Sequence, residues 1–132
     1  MITRGKLIVL EGLDRSGKST ISKYVTELIS AKAATNNINF PDRSTPIGKM
    51  INEFLSNKIE LNNETIHLLF SANRWEKIKY IEETLSGGTN IVCDRYWYSG
   101  VAYSVAKGMD IEWCKAADYG LHKPDLVLYL KA

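Results

Sequence analysis

The spacing of hydrophobic positions changes several times along this chain, and the changes predict alternating strands and helices. Residues 6–10 form a continuous apolar run rich in β-branched side chains, typical of a strand buried on both faces of a parallel sheet. From Thr20 to Ala34 the apolar residues recur at helical spacing instead. A short strand is then predicted around Ile38–Phe40, ended by Pro41, because proline has no amide hydrogen to donate to a sheet.

The rest of the chain continues this alternation. The further predicted elements are a helix beginning at Ser44, a longer helix over 63–85, a strand over 90–93, short helices over 99–106 and 111–117, and a strand over 125–130. Either Asn62 or Asn63 is expected to cap the long helix, and the Gly87-Gly88 pair to end it. Strands that alternate with helices predict an α/β fold, in which a parallel sheet carries helices on both faces. Because the last predicted strand is followed only by Lys131-Ala132, we expect the sheet to be C-terminally incomplete, with an uncovered outer edge.

Composition and charge narrow the classes of protein to consider. The chain has 132 residues, 45% of them hydrophobic, which suits a single domain over residues 1–132. Its formal charge of +2 is spread over interspersed acidic and basic residues, so a nucleic-acid partner is not expected. No apolar run approaches the ~20 residues that cross a bilayer, and the N-terminus lacks the apolar segment of a signal peptide. We therefore expect a cytoplasmic or nuclear protein without a membrane partner, in which Cys93 and Cys114 stay reduced.

The residues after the first strand match a phosphate-binding loop. Gly12-Leu-Asp-Arg-Ser-Gly-Lys-Ser19 fits the pattern G-x-x-x-x-G-K-[ST] without departure and lies between a predicted strand and a predicted helix. In such a loop, successive backbone N–H groups surround an anion at the start of the helix, which predicts a P-loop NTPase fold. Lys18 is expected to reach the outer phosphates, and Ser19 to offer its hydroxyl to Mg²⁺. The predicted ATP-binding residues are Gly12, Leu13, Asp14, Arg15, Ser16, Gly17, Lys18, Ser19 and Thr20.

The loop alone does not identify the second substrate. Regulatory GTPases carry the loop together with an [NT]-K-x-D sequence, and the nearest equivalent here, Asn57-Lys58-Ile59-Glu60, ends in the wrong acid. No D-x-x-G sequence follows a predicted strand downstream of the loop. A regulatory GTPase is therefore not expected.

Charged residues follow two predicted strands at the sheet edge where ligands of α/β proteins bind. Asp94 ends the third strand, where its carboxylate can hold Mg²⁺ through water; a turn cap is the alternative. Arg95 follows directly, and Arg43 follows the second strand. Two guanidinium groups at neighbouring strand ends suit a second phosphate, because each can bind it through two parallel hydrogen bonds. Either arginine alone would be interpreted as a solvated surface charge.

Phe70 and Arg74 lie four residues apart in the long predicted helix and therefore on one face of it. An aromatic ring beside a fork of hydrogen-bond donors suits a planar base. Phe70 also continues the apolar series of Ile66 and Leu69, and the pattern by itself favours core packing for this residue.

Four segments of the chain together resemble the thymidylate kinases, and most of all their eukaryotic and poxvirus branch. The segments are residues 12–20, 40–49, 68–76 and 94–103, and the strand region 123–130 is also similar. The resemblance covers essentially the whole chain. It implies phosphorylation of dTMP to dTDP at the expense of ATP, with Mg²⁺ as cofactor, and assembly as a homodimer.

The resemblance also implies a role for each matching residue in dTMP binding. Arg43 and Arg95 would hold the dTMP phosphate, Phe70 would stack on thymine, and Arg74 would hydrogen-bond a thymine carbonyl. The implied dTMP-binding residues are Asp14, Phe40, Arg43, Phe70, Arg74, Arg95, Gly100 and Tyr103.

Within this set, the resemblance implies that Asp14 contacts the sugar 3′-hydroxyl and that Tyr103 crowds the 2′ position, excluding ribonucleotides. Arg15 corresponds to an arginine that approaches the transferred phosphoryl group in similar family members. Such an arginine finger is worth ~10³–10⁵ in rate. The predicted catalytic residues are Asp14, Arg15, Lys18, Asp94 and Arg95, and the predicted metal site comprises Ser19 and Asp94.

The length of the chain leaves two hypotheses open. Members of the family continue past the fourth strand into a lid, a last strand and a closing helix, and these do not follow here. The first hypothesis is an active dTMP kinase, and the second is a catalytically impaired nucleotide-binding fragment of such a kinase. A kinase for another nucleoside monophosphate is a third interpretation, which requires Phe70, Arg74 and Tyr103 to lie away from the site.

Overall fold

The computed structural model of the chain describes residues 3–12 and 17–131. Its strands are β1 (Leu7–Gly12), β2 (Thr35–Asn39), β3 (Asn90–Asp94) and β4 (Leu126–Leu130). The α-helices of the described ranges are α1 (Lys18–Ser30), α2 (Pro46–Leu55), α3 (Asn63–Trp75), α4 (Ile78–Ser86), α5 (Trp97–Ala106) and α6 (Ile111–Ala116). Within those ranges, no helix is both long enough and apolar enough to cross a membrane.

The strands form one sheet in the order β2-β3-β1-β4, and every neighbouring pair is parallel. All carboxyl ends therefore meet at one edge of the sheet, as the alternating pattern predicted. Leu10 of β1 pairs with Asp94 of β3, which brings the end of β3 beside the start of the predicted phosphate loop. β4 is an edge strand, and its Tyr129 is 60% exposed.

The two faces of the sheet carry different helices. Alternate strand residues point to opposite faces, and one face packs against α4 in a cluster that contains Leu7, Val9, Ile81, Leu85, Ile91 and Cys93. Ile38 of β2 packs against this cluster, whereas its neighbour Asn37 hydrogen-bonds Ser22 and Thr26 of α1. Since Asn37 and Ile38 face opposite ways, α1 covers the other face, and the prediction of helices on both faces is confirmed. Tyr24 and Leu28 of α1 nevertheless remain exposed, so the apolar spacing identified the helix without marking its buried side.

The single long helix predicted over 63–85 is wrong, because α3 ends at Trp75 and α4 begins at Ile78. Neither glycine nor proline interrupts the sequence there. The break coincides instead with contacts to the loop after β2. Glu76 accepts a hydrogen bond from Thr45 Oγ at 2.6 Å, and Lys77 Nζ lies 3.1 Å from the carboxylate of Asp42. Partners distant in sequence hold this junction.

The helix starts differ from prediction in one case and agree in another. α2 begins at Pro46 and not at Ser44; its cap is Thr45, whose hydroxyl accepts a hydrogen bond from the Gly48 amide at 2.9 Å. Ser44 instead donates to the carboxylate of Asp42, through both its amide and its hydroxyl. Asn62 caps α3 by accepting from the Thr65 amide at 2.7 Å, as predicted.

Candidate active site

The start of α1 and the end of β3 bring three of the predicted phosphate and metal residues together. The side chain of Lys18 is 8% exposed, and its Nζ lies 3.2 Å from Oδ1 of Asp94. Ser19 donates a hydrogen bond from Oγ to Oδ2 of the same carboxylate at 3.1 Å. Gly17 before them has φ 78°, a left-handed conformation that glycine adopts without strain. Leu13, Asp14, Arg15 and Ser16 of the predicted loop lie outside the described residues.

The oxygens at this position suit a magnesium ion. Oδ1 of Asp94 is buried and has no hydrogen-bond partner among the described residues, since its contact with Lys18 is close but not aligned as a hydrogen bond. Mg²⁺ prefers hard oxygen ligands and usually takes one or two carboxylates, with phosphate oxygens and water completing an octahedron. The described residues contain no group of three or more His, Cys, Asp or Glu able to hold a metal, a protein-only cage that Mg²⁺ beside a nucleotide does not require. The hydroxyl of Ser19 and the carboxylate of Asp94 therefore fit the ion.

A cavity of about 410 Å³, called here the loop-side cavity, opens at this edge of the sheet. It is lined by Gly17, Lys18, Ser19, Thr20, Asn39, Phe40, Pro41, Arg43, Asp94 and Arg95. Arg43 is exposed and donates from Nη1 to Asn52 at 3.0 Å. The backbone of Arg95 has φ 71°, and its amide donates to the carbonyl of Leu10 at 2.8 Å, which fastens the residue to the end of β1. Both arginines thus line the same cavity as Lys18.

A second cavity of about 290 Å³, the helix-side cavity, adjoins the first. The two share Phe40, Pro41, Arg43 and Arg95 in their linings. The second adds Leu55, Phe70, Arg74, Tyr96, Ser99, Gly100 and Tyr103. Every residue implied for dTMP binding that the structure describes therefore lines this cavity, and four of the lining residues are shared with the loop-side cavity.

The aromatic residues of the helix-side cavity hold one another in place. Phe70 is half-buried, and its ring packs at 78° to that of Tyr103, with 5.8 Å between ring centroids. Lys107 Nζ lies 4.2 Å from the centroid of the Tyr103 ring, a cation–π contact. Phe70 therefore packs against other side chains and also lines the cavity, so core packing alone does not describe its surroundings.

Arg74 is the most buried cation in this region, and its partner escaped the sequence analysis. Its Nε and Nη2 donate to the two carboxylate oxygens of Asp118 at 2.8 and 3.0 Å. Asp118 follows α6, 44 residues further along the chain, so no local spacing signals the pair. A Cβ on Gly100 would lie 3.0 Å from both Nη1 and Nη2, so glycine leaves room for the guanidinium at this point.

Glu11 is a second residue that the sequence analysis missed. It is 5% exposed and accepts hydrogen bonds from the amides of Tyr96 and Ser99 at 3.1 and 3.2 Å, and also from the Ser99 hydroxyl. A carboxylate that binds the free amides of a helix start is stabilised there. Glu11 therefore ties the end of β1 to the start of α5, which carries Gly100 and Tyr103. An acid at the carboxyl end of an otherwise apolar strand was the available signal, the same one that identified Asp94.

Two weak acids beside the site are held in their neutral forms. Burial raises the pKa of the Cys93 thiol well above its ordinary value, and the neighbouring carboxylates act in the same direction. Burial likewise raises the pKa of the Tyr96 phenol, which donates to the carbonyl of His122 at 2.8 Å. A nucleophilic thiolate at this edge of the sheet is therefore not favoured.

An inner strand of this parallel sheet, β1, leads into a phosphate-loop sequence, and the buried Lys18 faces Asp94 at the carboxyl edge of the sheet. That arrangement defines a P-loop nucleotide-binding protein. The sequence model described as thymidylate kinase matches residues 10–132. The chain belongs to the thymidylate kinase family.

Individual relatives agree with this assignment. The chain is 60% identical to thymidylate kinase from Arabidopsis thaliana over 128 residues, which cover 96% of this chain and 49% of the relative. It is 51% identical to the human thymidylate kinase over 130 residues, or 97% of this chain and 61% of the relative. A solved structure of the Candida albicans thymidylate kinase superposes with a TM-score of 0.83 at 46% identity, covering 96% of this chain and 63% of that one. The chain thus spans about half to three-fifths of the length of these proteins.

Proposed function

We propose that this chain forms the nucleotide-binding and acceptor-binding parts of a dTMP kinase, which transfers the terminal phosphoryl group of ATP to dTMP. The observation that carries the proposal is that Arg43 and Arg95 line both cavities. An acceptor whose base lies in the helix-side cavity has its phosphate between these arginines. That position is in the same cavity as Lys18, where the donor phosphates are expected.

The residues of the loop-side cavity would stabilise the negative charge of the phosphate groups. Phosphoryl transfer requires chiefly positioning and neutralisation of charge on the phosphate oxygens. Lys18 reaches the outer phosphates of ATP, and Arg43 and Arg95 bind the phosphate of dTMP. Ser19 and Asp94 would hold Mg²⁺, which would neutralise phosphate charge. The family resemblance implies that Arg15 would approach the transferred group and that Asp14 would contact the sugar.

The base side supplies the choice of acceptor. Phe70 offers a ring on which thymine stacks, and Arg74, one helical turn further on, donates to a carbonyl of the base. Tyr103 packs against Phe70 and lies beside Ser99 and Gly100 in the cavity wall. In this pose its ring crowds the 2′ position of the sugar.

The same proposal extends to assembly and location. The family resemblance implies a homodimer built from helices that this chain contains. Met50 of α2, Leu68 of α3 and Trp113 of α6 are exposed apolar side chains that a partner copy would cover. A role in dTTP synthesis places the protein in the cytoplasm or nucleus.

Calorimetric binding of dTMP and of thymidine to the Arg43→Ala variant tests the proposed pose. The phosphate is the only group that distinguishes these ligands. We expect dTMP affinity to fall by about 10- to 100-fold, as loss of a charge-assisted hydrogen bond predicts, with thymidine affinity unchanged. Arg4→Ala is the matched control, since it removes the same charge from a surface ion pair with Glu82. An equal loss for both ligands, or no loss for either, would contradict a phosphate-binding role for Arg43.

A further inference from the structure

Arg74, which lines the helix-side cavity, forms a buried ion pair with Asp118, a residue that has no part in the function proposed above. The side chains of Arg74 and Asp118 are 3% and 2% exposed, and they meet through two parallel hydrogen bonds. This geometry fixes both the position and the rotation of the guanidinium plane. Phe70, on the same face of α3, lies beside it in the cavity wall.

The turn that carries Asp118 is itself clamped onto α3. Ser71 Oγ lies 3.0 Å from Oδ1 of Asp118 and 3.1 Å from the carbonyl oxygen of Ala117. The indole Nε1 of Trp75 donates to the same Ala117 carbonyl at 2.8 Å. Gly120, with φ 97°, lets the chain pass over Trp75, whose ring would meet a Cβ there at 3.4 Å. The position of the carboxylate is therefore determined by the helix that also carries the arginine.

This arrangement limits what Arg74 presents to the cavity. Asp118 takes up Nε–H and one Nη2–H, while Nη1 is not bound to it. A guanidinium has five N–H donors and no acceptor, so the remaining groups offer hydrogen atoms only. The carboxylate also balances the charge, so the arginine need not be paired with a ligand phosphate. At this point the cavity wall consequently offers N–H donors of fixed orientation, on a guanidinium whose charge is balanced by Asp118.

We propose that Asp118 is a positioning residue that sets base selectivity by holding Arg74 with its free donors facing the base. This inference rests on the function proposed above. A pyrimidine with a carbonyl oxygen at the contact accepts from those donors, as thymine does. Cytosine has an amino group at the corresponding ring position, which would place donors against donors. The expected ligand class is therefore a pyrimidine nucleotide with a carbonyl at ring position 4.

The test is calorimetry of the 132-residue chain with dTMP and with dCMP, before and after the substitution Asp118→Asn. An asparagine keeps the shape but turns a donor toward the guanidinium and removes the charge. We expect dTMP affinity to fall by about 10- to 100-fold, with dCMP affinity nearly constant, so that the preference for dTMP shrinks. Asp110→Asn is the matched control: Asp110 caps α6 by accepting from the Trp113 amide, and asparagine caps equally well. It should leave both affinities unchanged.

Outcomes separate this inference from the proposed function. If the unsubstituted chain binds neither nucleotide, the proposed function fails. If it prefers dTMP and Asp118→Asn retains that preference, only the role of Asp118 is overturned. Should Asp118→Asn lose the circular dichroism of the folded chain, Ser71→Ala replaces it, because this change removes a neutral donor to Asp118 and leaves the ion pair. For Ser71→Ala we expect the dTMP preference to fall about 2- to 5-fold, and an unchanged preference would overturn the proposal.

Discussion

Gly48 offers a sharp test of the packing that positions Arg43. A Cβ at this position of α2 would lie 1.7 Å from the carbonyl oxygen of Asp42 and 2.9 Å from Cα of Arg43. Both neighbours are backbone atoms, so no side chain can turn aside. The Asp42 carbonyl is also held from another direction by Asn73 Nδ2 at 3.0 Å, and Asn73 is fully buried. The Gly48→Ala substitution therefore has to push apart α2 and the loop that carries Arg43.

Two opposing effects determine how far Gly48→Ala changes the free energy of unfolding. Alanine favours a helix over glycine by about 1 kcal/mol, whereas overpacking costs about 1–3 kcal/mol even where side chains can adjust. The contact is 1.3 Å shorter than the 3.0 Å below which Cβ contacts are essentially never found, so overpacking should prevail. We expect the free energy of unfolding to fall by about 2 kcal/mol or more, and dTMP affinity to fall as Arg43 moves.

Urea unfolding and dTMP calorimetry together measure both effects of Gly48→Ala. Gly87→Ala is the matched control, because Gly87 has φ −77° and its nearest neighbour to a Cβ is the Glu83 carbonyl at 3.4 Å. We expect this control to change the unfolding free energy by no more than about 0.5 kcal/mol. If Gly48→Ala unfolds at the same urea concentration as the unsubstituted chain and binds dTMP equally well, the reasoning is refuted.

Two further predictions concern catalysis and acid stability. As an arginine finger, Arg15 should contribute ~10³–10⁵ to the rate, so Arg15→Ala should lower turnover by that factor and leave dTMP affinity nearly unchanged. Lys18→Ala should also lower turnover. Turnover is measured as ADP formation, and wild-type turnover in Arg15→Ala would refute the role of Arg15. The hydrogen bond from Ser44 and the nearby Lys77 ammonium hold the pKa of Asp42 below its ordinary value. Its contribution to stability is therefore fully present above about pH 4 and is lost as the pH falls through the lowered pKa. In urea titrations, Asp42→Asn should thus be less stable than the unsubstituted chain at pH 7, and the difference should shrink toward pH 3; a difference independent of pH would contradict this cause.

The architecture was predictable from the sequence because its signals are local. The run 6–10, the loop 12–19 and the end of the strand at Asp94 each lie within one short segment, and the structure confirms four parallel strands. The second strand, however, is Thr35–Asn39 and does not reach Phe40, where the prediction had placed its end. Lys18 of the predicted loop and Asp94 at the predicted sheet edge lie 3.2 Å apart in the structure. The position of a candidate phosphate-binding site can therefore be predicted from local sequence patterns and from the rule that ligands bind at the carboxyl edge of a parallel sheet.

Features held by distant partners were not predictable in this way. The break between α3 and α4 coincides with contacts of Glu76 and Lys77 with the loop after β2. These contacts join residues far apart in sequence, so the spacing of apolar residues along the helix does not reveal them. Asp118 reaches Arg74 only once α6 has packed beside α3. Thr45, by contrast, was within reach of the sequence, because a threonine directly before proline is a strong signal for the start of a helix.

The most direct test of the account is steady-state ADP formation by the purified 132-residue chain with Mg·ATP and dTMP, with dUMP and GMP as alternative acceptors. We expect turnover that prefers dTMP. Equal turnover with GMP would contradict the assigned base site, and dTMP binding without turnover would show a chain that keeps the acceptor site but does not catalyse the transfer.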